Sequence, residues 1–293
     1  MKHLKRFTTI AGLAVASVIG TFAMSAEAAV ILTPVTQNGI TCQRHDGGTY
    51  PENSHYFDCT TNQTTGAYSG YALSQLQATW GQPGYGANVE NKLASAPVDY
   101  YVFDDAIEYA KRVGSGQTPQ QVYAQYATTP ALSNGPPFTG GRFTILFALV
   151  PTNPTNYPNE VQVGSSGIKN NVAHETGHQF DWTVAAGNYP SASAQFNTIA
   201  GKDQAFMNKP TYVTQYSYWL QANPQKQGPW AELFAEEFAI KTAGVILVSP
   251  APGVDNLISD YWKCTTLATQ HWMTNSSAPV AADFTNAQLS RCN

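Results

Sequence analysis

Two histidines four residues apart, with a glutamate directly after the first, form the pattern in this chain that is best suited to chemistry. They are His174, Glu175 and His178 in the segment HETGH. On a helix the two imidazoles project from one face, where both can reach one Zn²⁺ at about 2.0 to 2.1 Å. The Glu175 carboxylate can then take a proton from a water molecule at the metal, as hydrolysis requires. The spacing therefore predicts a hydrolytic zinc site, and a helix with surface histidines is the alternative.

Such a site needs a third protein ligand. Asp181 and Val184 stand where the metzincin class of zinc proteases has glycine and histidine, so that ligand set is excluded. Further along, the segment WAELFAEEF at 230–238 places carboxylates in an apolar run. Glu232 and Glu236 share one helix face, so one of them can bind the metal while the other orients a ligating histidine. An acidic, solvent-exposed helix face is the alternative interpretation.

Together the two segments resemble the gluzincin zinc peptidases typified by the anthrax lethal-factor protease domain and the secreted Pro-Pro endopeptidases. The shared pattern is H-E-x-G-H-x-x-D followed by E-x-F-A-E, and the resemblance covers about residues 165–243. It implies a zincin-like metalloprotease fold with a mixed sheet, an active-site helix and a mainly helical C-terminal half. It also implies the roles of five residues: zinc ligands His174, His178 and Glu232, general base Glu175, and Glu236 behind a ligand.

The same family uses a tyrosine, shortly before the ligand glutamate, to stabilise the oxyanion of the reaction. Here the usual spacing falls on Gln225, which is a departure from the family pattern. The segment at 213–218 resembles the family's tyrosine segment if 220–228 is an insertion. The resemblance then implies Tyr216, with Tyr218 next, as the oxyanion donor, and an ordinary partly buried tyrosine is the alternative.

An α+β arrangement, in which a mixed sheet packs on helices, must position these residues. Apolar runs predict strands at 99–103 and 143–150, and helical patterns lie at 104–113, 118–127, 168–186, 191–207, 228–243 and 254–273. The segment EVQV at 160–163 alternates as an edge strand does. The resemblance implies that this strand pairs with an extended peptide substrate. Asp181 either accepts a hydrogen bond from a ligand histidine or has a structural role at the helix end, and we prefer the structural role.

The first 28 residues have the pattern of a signal peptide cleaved before Ala29, with an uncleaved anchor as the alternative. A basic start is followed by an apolar stretch at 10–24 and the small-residue signal AEA at 26–28. We therefore expect a secreted protein, or a periplasmic one, without a membrane span after signal removal. The expected division is a signal peptide (1–28), a loop-rich, disulfide-tied N-terminal section (29–90) and a metallopeptidase domain (91–293).

Four cysteines fall into two pairs that are close in sequence. We expect Cys42 to bond with Cys59 and Cys264 with Cys292, because an oxidising compartment favours disulfides. The chain lacks a C-x-x-C pair, so a zinc site built from these cysteines is not expected.

The composition excludes some classes of partner. The formal net charge is −4 and charged residues are only 12% of the chain, so a nucleic-acid backbone is not an expected partner. Our main hypothesis is a monomeric, secreted zinc endopeptidase that acts on peptides or proteins. The alternative is a secreted binding or adhesion module on a zincin fold, with a structural or absent metal, whose aromatic N-terminal section stacks on sugars or proteins. The presence of Glu175 favours the enzyme.

Overall fold

The computed structural model describes residues 31–46, 54–80, 85–126, 129–134, 141–151, 160–184, 189–207, 230–243, 263–280 and 292. The signal segment at 1–28, Tyr216 and Tyr218 lie outside these ranges, so the predictions on them stay predictions. Within the described ranges, every helix is too short or too polar to cross a membrane.

A six-stranded mixed sheet has the strand order β1-β2-β3-β4-β6-β5. The β3–β4 and β4–β6 pairs are parallel, and the other three pairs are antiparallel. Two further strands, β7 and β8, form a separate antiparallel pair. The bounds are β1 Ile31–Gln37, β2 Ile40–Asp46, β3 His55–Asp58, β4 Val98–Phe103, β5 Ala131–Asn134, β6 Arg142–Phe147, β7 Leu149–Pro151 and β8 Glu160–Gln162.

Eight α-helices lie in the described part of the chain. They are α1 Gln63–Thr79, α2 Ala87–Ala94, α3 Ala106–Arg112, α4 Pro119–Tyr126, α5 Ser165–Val184, α6 Ala194–Met207, α7 Ala231–Ala243 and α8 Lys263–Asn275. A mixed sheet combined with these helices agrees with the α+β class expected from the sequence.

Helices cover both faces of the sheet because its central strands are apolar on both sides. Along β4, Tyr100 and Val102 pack in the cluster that contains residues of α1 and α5, whereas Phe103 packs in the cluster with α3 and α4. A third cluster joins α5 to α6, α7 and α8 through Phe180, Phe234 and other buried residues. The helix α5 therefore lies between the sheet and the C-terminal helices.

The described part of the 29–90 section differs from the loop-rich expectation. It contributes three strands, the helix α1 and the start of α2, and β3 pairs directly with β4. The helix α1 was not predicted because Gly66 and Gly70 lower its intrinsic helix propensity. A capping bond stabilises its first turn, since the Asn62 side chain accepts from the Thr65 N–H at 3.0 Å.

Both expected disulfides are confirmed. Cys42 on β2 is bonded to Cys59 directly after β3, and Cys264 at the start of α8 is bonded to Cys292. The strand expected at 143–150 is divided, because β6 ends at Phe147 and β7 begins at Leu149.

Candidate metal centre

The helix α5 carries the HETGH segment in the interior of the protein. Glu175 lies between the two histidines of the motif in sequence, and all three side chains are buried. Gly177 allows α7 to approach closely, because a Cβ atom at this position would meet the Ala235 Cα and the Phe238 Cβ at 3.0 Å each. This close helix contact brings the carboxylates of α7 beside the histidines of α5.

His174, His178 and Glu232 are brought together as a group of donors that can hold a metal ion. The Glu232 Oε2 atom lies 3.4 Å from the His174 Nε2 and 3.7 Å from the His178 Nε2. Ligands about 2.0 to 2.1 Å from a tetrahedral zinc ion are roughly 3.3 to 3.4 Å from one another. The spacing of these donors therefore fits an ion of this size, and two imidazoles with one carboxylate are a donor set that zinc accepts.

Glu236 lies on the far side of His174 from Glu232. Its Oε2 is 3.1 Å from the His174 Nδ1, and its Oε1 accepts a hydrogen bond from the Asn170 amide at 3.4 Å. A carboxylate at this place favours the tautomer that carries its proton on Nδ1, which directs the Nε2 lone pair toward Glu232. Glu236 is completely buried, so these bonds hold the imidazole in one orientation.

The electrostatics of the group favour a cation. Burial alone lowers the pKa of His174, but hydrogen bonds with Glu232 and Glu236, together with the charge of Glu175, raise it to about 10. Burial alone raises the pKa of Glu232, yet the charge of His178 and hydrogen bonds with both histidines hold it well below its ordinary value. A site that retains a proton this strongly is also one in which a metal ion can replace the proton.

Glu175 has the freedom that a general base needs. Its Oε2 atom is buried and has no hydrogen-bond partner among the described residues. The backbone of the same residue is fixed, because the Glu175 carbonyl accepts a hydrogen bond from the Ser133 hydroxyl of β5 at 3.1 Å. The strand that contacts Glu175 is therefore β5, at the edge of the six-stranded sheet. The expected edge strand at 160–163 does form as β8, but it pairs with β7.

Asp181 has a structural role at the end of α5. Its two carboxylate oxygens accept hydrogen bonds from the Ser191 N–H at 2.9 Å and the Ser191 hydroxyl at 2.5 Å. These bonds attach the 3₁₀ turn Pro190–Ala192 to the helix. Burial raises the pKa of Asp181 to about 6.

Sequence reasoning missed two residues at the site: Trp182, which contacts the metal-binding group, and Asn170, which contacts Glu236 beside it. Asn170 bonds to Glu236, and the Trp182 ring stacks on the His178 ring with centroids 5.7 Å apart. Both lie four residues from a motif histidine along α5, on the same helix face. That spacing is the signal from which they could have been found.

Comparison with known proteins does not identify this chain. No protein-family model matches it, and a search of curated proteins found no match. The likeness to the gluzincins therefore rests on the motif residues and their spacing.

Most of the described aromatic residues of the N-terminal section, on which the binding-module hypothesis depends, are interior. Tyr56 and Tyr68 are 1% exposed and Phe57 is 7% exposed. These rings pack in the core and do not form a stacking surface.

Proposed function

We propose that this protein is a secreted zinc endopeptidase of the gluzincin type, on a zincin-like fold. The observation that carries the proposal is the convergence of the His174, His178 and Glu232 donors beside Glu175, whose Oε2 atom has no partner among the described residues. A metal that served only to stabilise the fold would have four protein ligands. It would not need a carboxylate base beside it.

Zinc in this site would supply Lewis-acid polarisation of a water molecule and of a peptide carbonyl. Glu175 accepts a proton from the water molecule while the water oxygen bonds to the carbonyl carbon. It then gives that proton to the departing amine nitrogen as the C–N bond breaks. Glu236 keeps His174 oriented throughout, because the carboxylate remains bonded to Nδ1.

Two further parts of the mechanism are proposals from the family resemblance. Tyr216, with Tyr218 as the second candidate, donates a hydrogen bond to the developing oxyanion, and loss of one such donor costs about 10²- to 10³-fold in rate. The substrate is an extended peptide that pairs with the strand at 160–163.

Export is supported by the two disulfides, because disulfides are typical of proteins of oxidising compartments. The signal-peptide pattern at 1–28 completes this part of the proposal.

The proposal is tested with the chain from residue 29 onward, loaded with zinc and incubated with a peptide library. We expect cleavage of internal peptide bonds by the wild type. The Glu175→Ala variant should lose about 10²- to 10⁴-fold in kcat/KM while it keeps its zinc, because only the proton acceptor is removed. Glu108→Ala is the matched control, since Glu108 pairs with Lys111 on α3 and lies outside the metal-binding group. Full activity in Glu175→Ala would contradict the mechanism.

A further inference from the structure

The two histidines of the metal-binding group are held in different ways. The His174 Nδ1 lies 3.1 Å from a carboxylate oxygen of Glu236. The His178 Nδ1 is buried and has no hydrogen-bond partner among the described residues. A ligating imidazole usually donates its second ring N–H to a carboxylate, a carbonyl or water, which fixes the ring orientation. His178 therefore needs another means of orientation.

Trp182 provides an aromatic contact with His178. The two rings have centroids 5.7 Å apart and an interplanar angle of 17°, which is within the range of offset stacking. Asp181, the neighbouring acidic group, bonds to Ser191 through both carboxylate oxygens and makes no hydrogen bond to the His178 Nδ1. Rotation of the His178 ring away from the metal-binding group would break the stack.

The tryptophan is itself attached to the sheet through Arg142, the first residue of β6. The Arg142 guanidinium donates to the Trp182 carbonyl at 3.2 Å, to the Thr183 hydroxyl at 2.6 Å and to the Gln179 carbonyl at 3.3 Å. A cation at the C-terminal end of a helix satisfies carbonyls that have no partner within the helix. Arg142 thus fixes the last turn of α5, from which the indole projects.

We infer that Trp182 is a positioning residue that orients His178 for metal binding by stacking, in place of the hydrogen bond that His174 donates to Glu236. The inference rests on the proposed metal site and extends it to a residue outside the family motif. Because the ring at position 182 restricts the orientation of His178 by stacking and not by a hydrogen bond, another aromatic ring should be able to replace the indole.

The test compares Trp182→Leu with Trp182→Phe in the zinc-free chain titrated with Co²⁺ and Zn²⁺. We expect Trp182→Leu to bind both ions about 10- to 100-fold more weakly, as for other residues that orient a ligand. Its Co²⁺ absorption bands should also shift and weaken, because the angle of one imidazole ligand is no longer fixed. Trp182→Phe should keep an affinity within about threefold of the wild type and the wild-type band positions.

Trp80→Leu is the matched control for a general loss of packing. Trp80 is a partly buried tryptophan that packs against two core clusters and lies outside the metal-binding group. This variant should lose stability but keep the wild-type Co²⁺ spectrum. Unchanged affinity and spectrum in Trp182→Leu, or equal losses in Trp182→Leu and Trp182→Phe, would overturn the inference. Failure of the wild type to bind either ion would instead contradict the proposed metal site.

Discussion

His174 lies between two carboxylates of one helix that approach different nitrogens of its ring. Glu232 approaches the ring nitrogen that faces His178, and Glu236 approaches the opposite ring nitrogen. The spacing of four residues places both carboxylates on one face of α7, and His174 fits between them. One residue pair on a helix therefore provides both a metal-ligand candidate and the group that selects the tautomer of its neighbour.

Replacement of Glu236 tests directly whether this carboxylate orients His174. Glu236→Gln keeps the side-chain volume but replaces the charged acceptor with a neutral one, so the His174 tautomer is held less strongly. We expect zinc affinity to fall about 10- to 100-fold, measured by competition with a chromophoric chelator. Glu175→Gln, which changes a carboxylate that is not part of the donor group, should bind zinc as the wild type does. Equal affinities of Glu236→Gln and the wild type would show that Glu236 does not orient the ligand.

Among the elements, the contact between α5 and α7 decides whether the site can form. Gly177 lies against the backbone of α7, because its missing Cβ would be 3.0 Å from the Ala235 Cα and 3.1 Å from the Ala235 carbonyl oxygen. Backbone atoms cannot move aside as a flexible side chain does. Packing therefore explains the glycine in HETGH, whereas the two histidines belong to the candidate metal centre.

We expect Gly177→Ala to lower the free energy of unfolding by about 1 to 3 kcal/mol, since an extra methyl group is forced into a packed interface. Zinc affinity should fall as well, because α7 must shift together with Glu232. Gly70→Ala on α1 is the control, as a Cβ there meets nothing within 4 Å. The control should be neutral or stabilising by up to about 1 kcal/mol. Urea denaturation gives both values, and equal stability of Gly177→Ala and the wild type would refute the packing argument.

The sequence predicted an element well where the residues that begin or end it agreed with the spacing of its apolar residues. Strand β4 and helices α3 and α4 lie where the sequence placed them, and Asp105 caps α3 by accepting from the Ile107 and Glu108 N–H groups. The proximity of the histidines to Glu232 could be predicted only through the motif resemblance, because periodicity gives no distance between helices. The sequence did not predict helix α1, because its glycines lower the helix propensity and tertiary packing stabilises the helix instead. Trp182 was missed because the family motif ends before it.

In the whole molecule, a second buried carboxylate of α7 links the helices of the C-terminal half. Glu237 is 1% exposed and accepts a hydrogen bond from the Thr266 hydroxyl of α8 at 2.6 Å. Asp203 of α6 and Glu236 are the acidic groups near it. Burial, together with these like charges, raises the pKa of Glu237 well above its ordinary value. The folded protein therefore binds this proton more tightly than the unfolded chain does.

This difference predicts how the stability of the molecule depends on pH. The contribution of Glu237 is fully present below its unfolded pKa of about 4.3 and is lost as pH rises through its higher folded pKa. Glu237→Gln keeps an acceptor for Thr266 but cannot ionise. It should stabilise the protein by about 1 to 3 kcal/mol on the alkaline side, where the wild type buries an unpaired charge. Denaturant unfolding from pH 4 to pH 9 should thus give a flatter curve of stability against pH for Glu237→Gln. Glu108→Gln, which changes a partly exposed glutamate of α3, is the control. Parallel curves for the wild type and Glu237→Gln would contradict this account.

The most direct test of the central claim is the zinc content of the purified chain, measured by plasma emission. The protein is prepared without added metal. We predict one zinc per chain in the wild type and in Glu108→Ala, none in Glu232→Ala, and most of the zinc retained in Glu236→Ala. This pattern follows from the geometry, because Glu232 approaches both histidines while Glu236 contacts only the far side of His174. A wild-type chain that contains no zinc and cannot be loaded with it would contradict the metal site and the proposed hydrolytic function together.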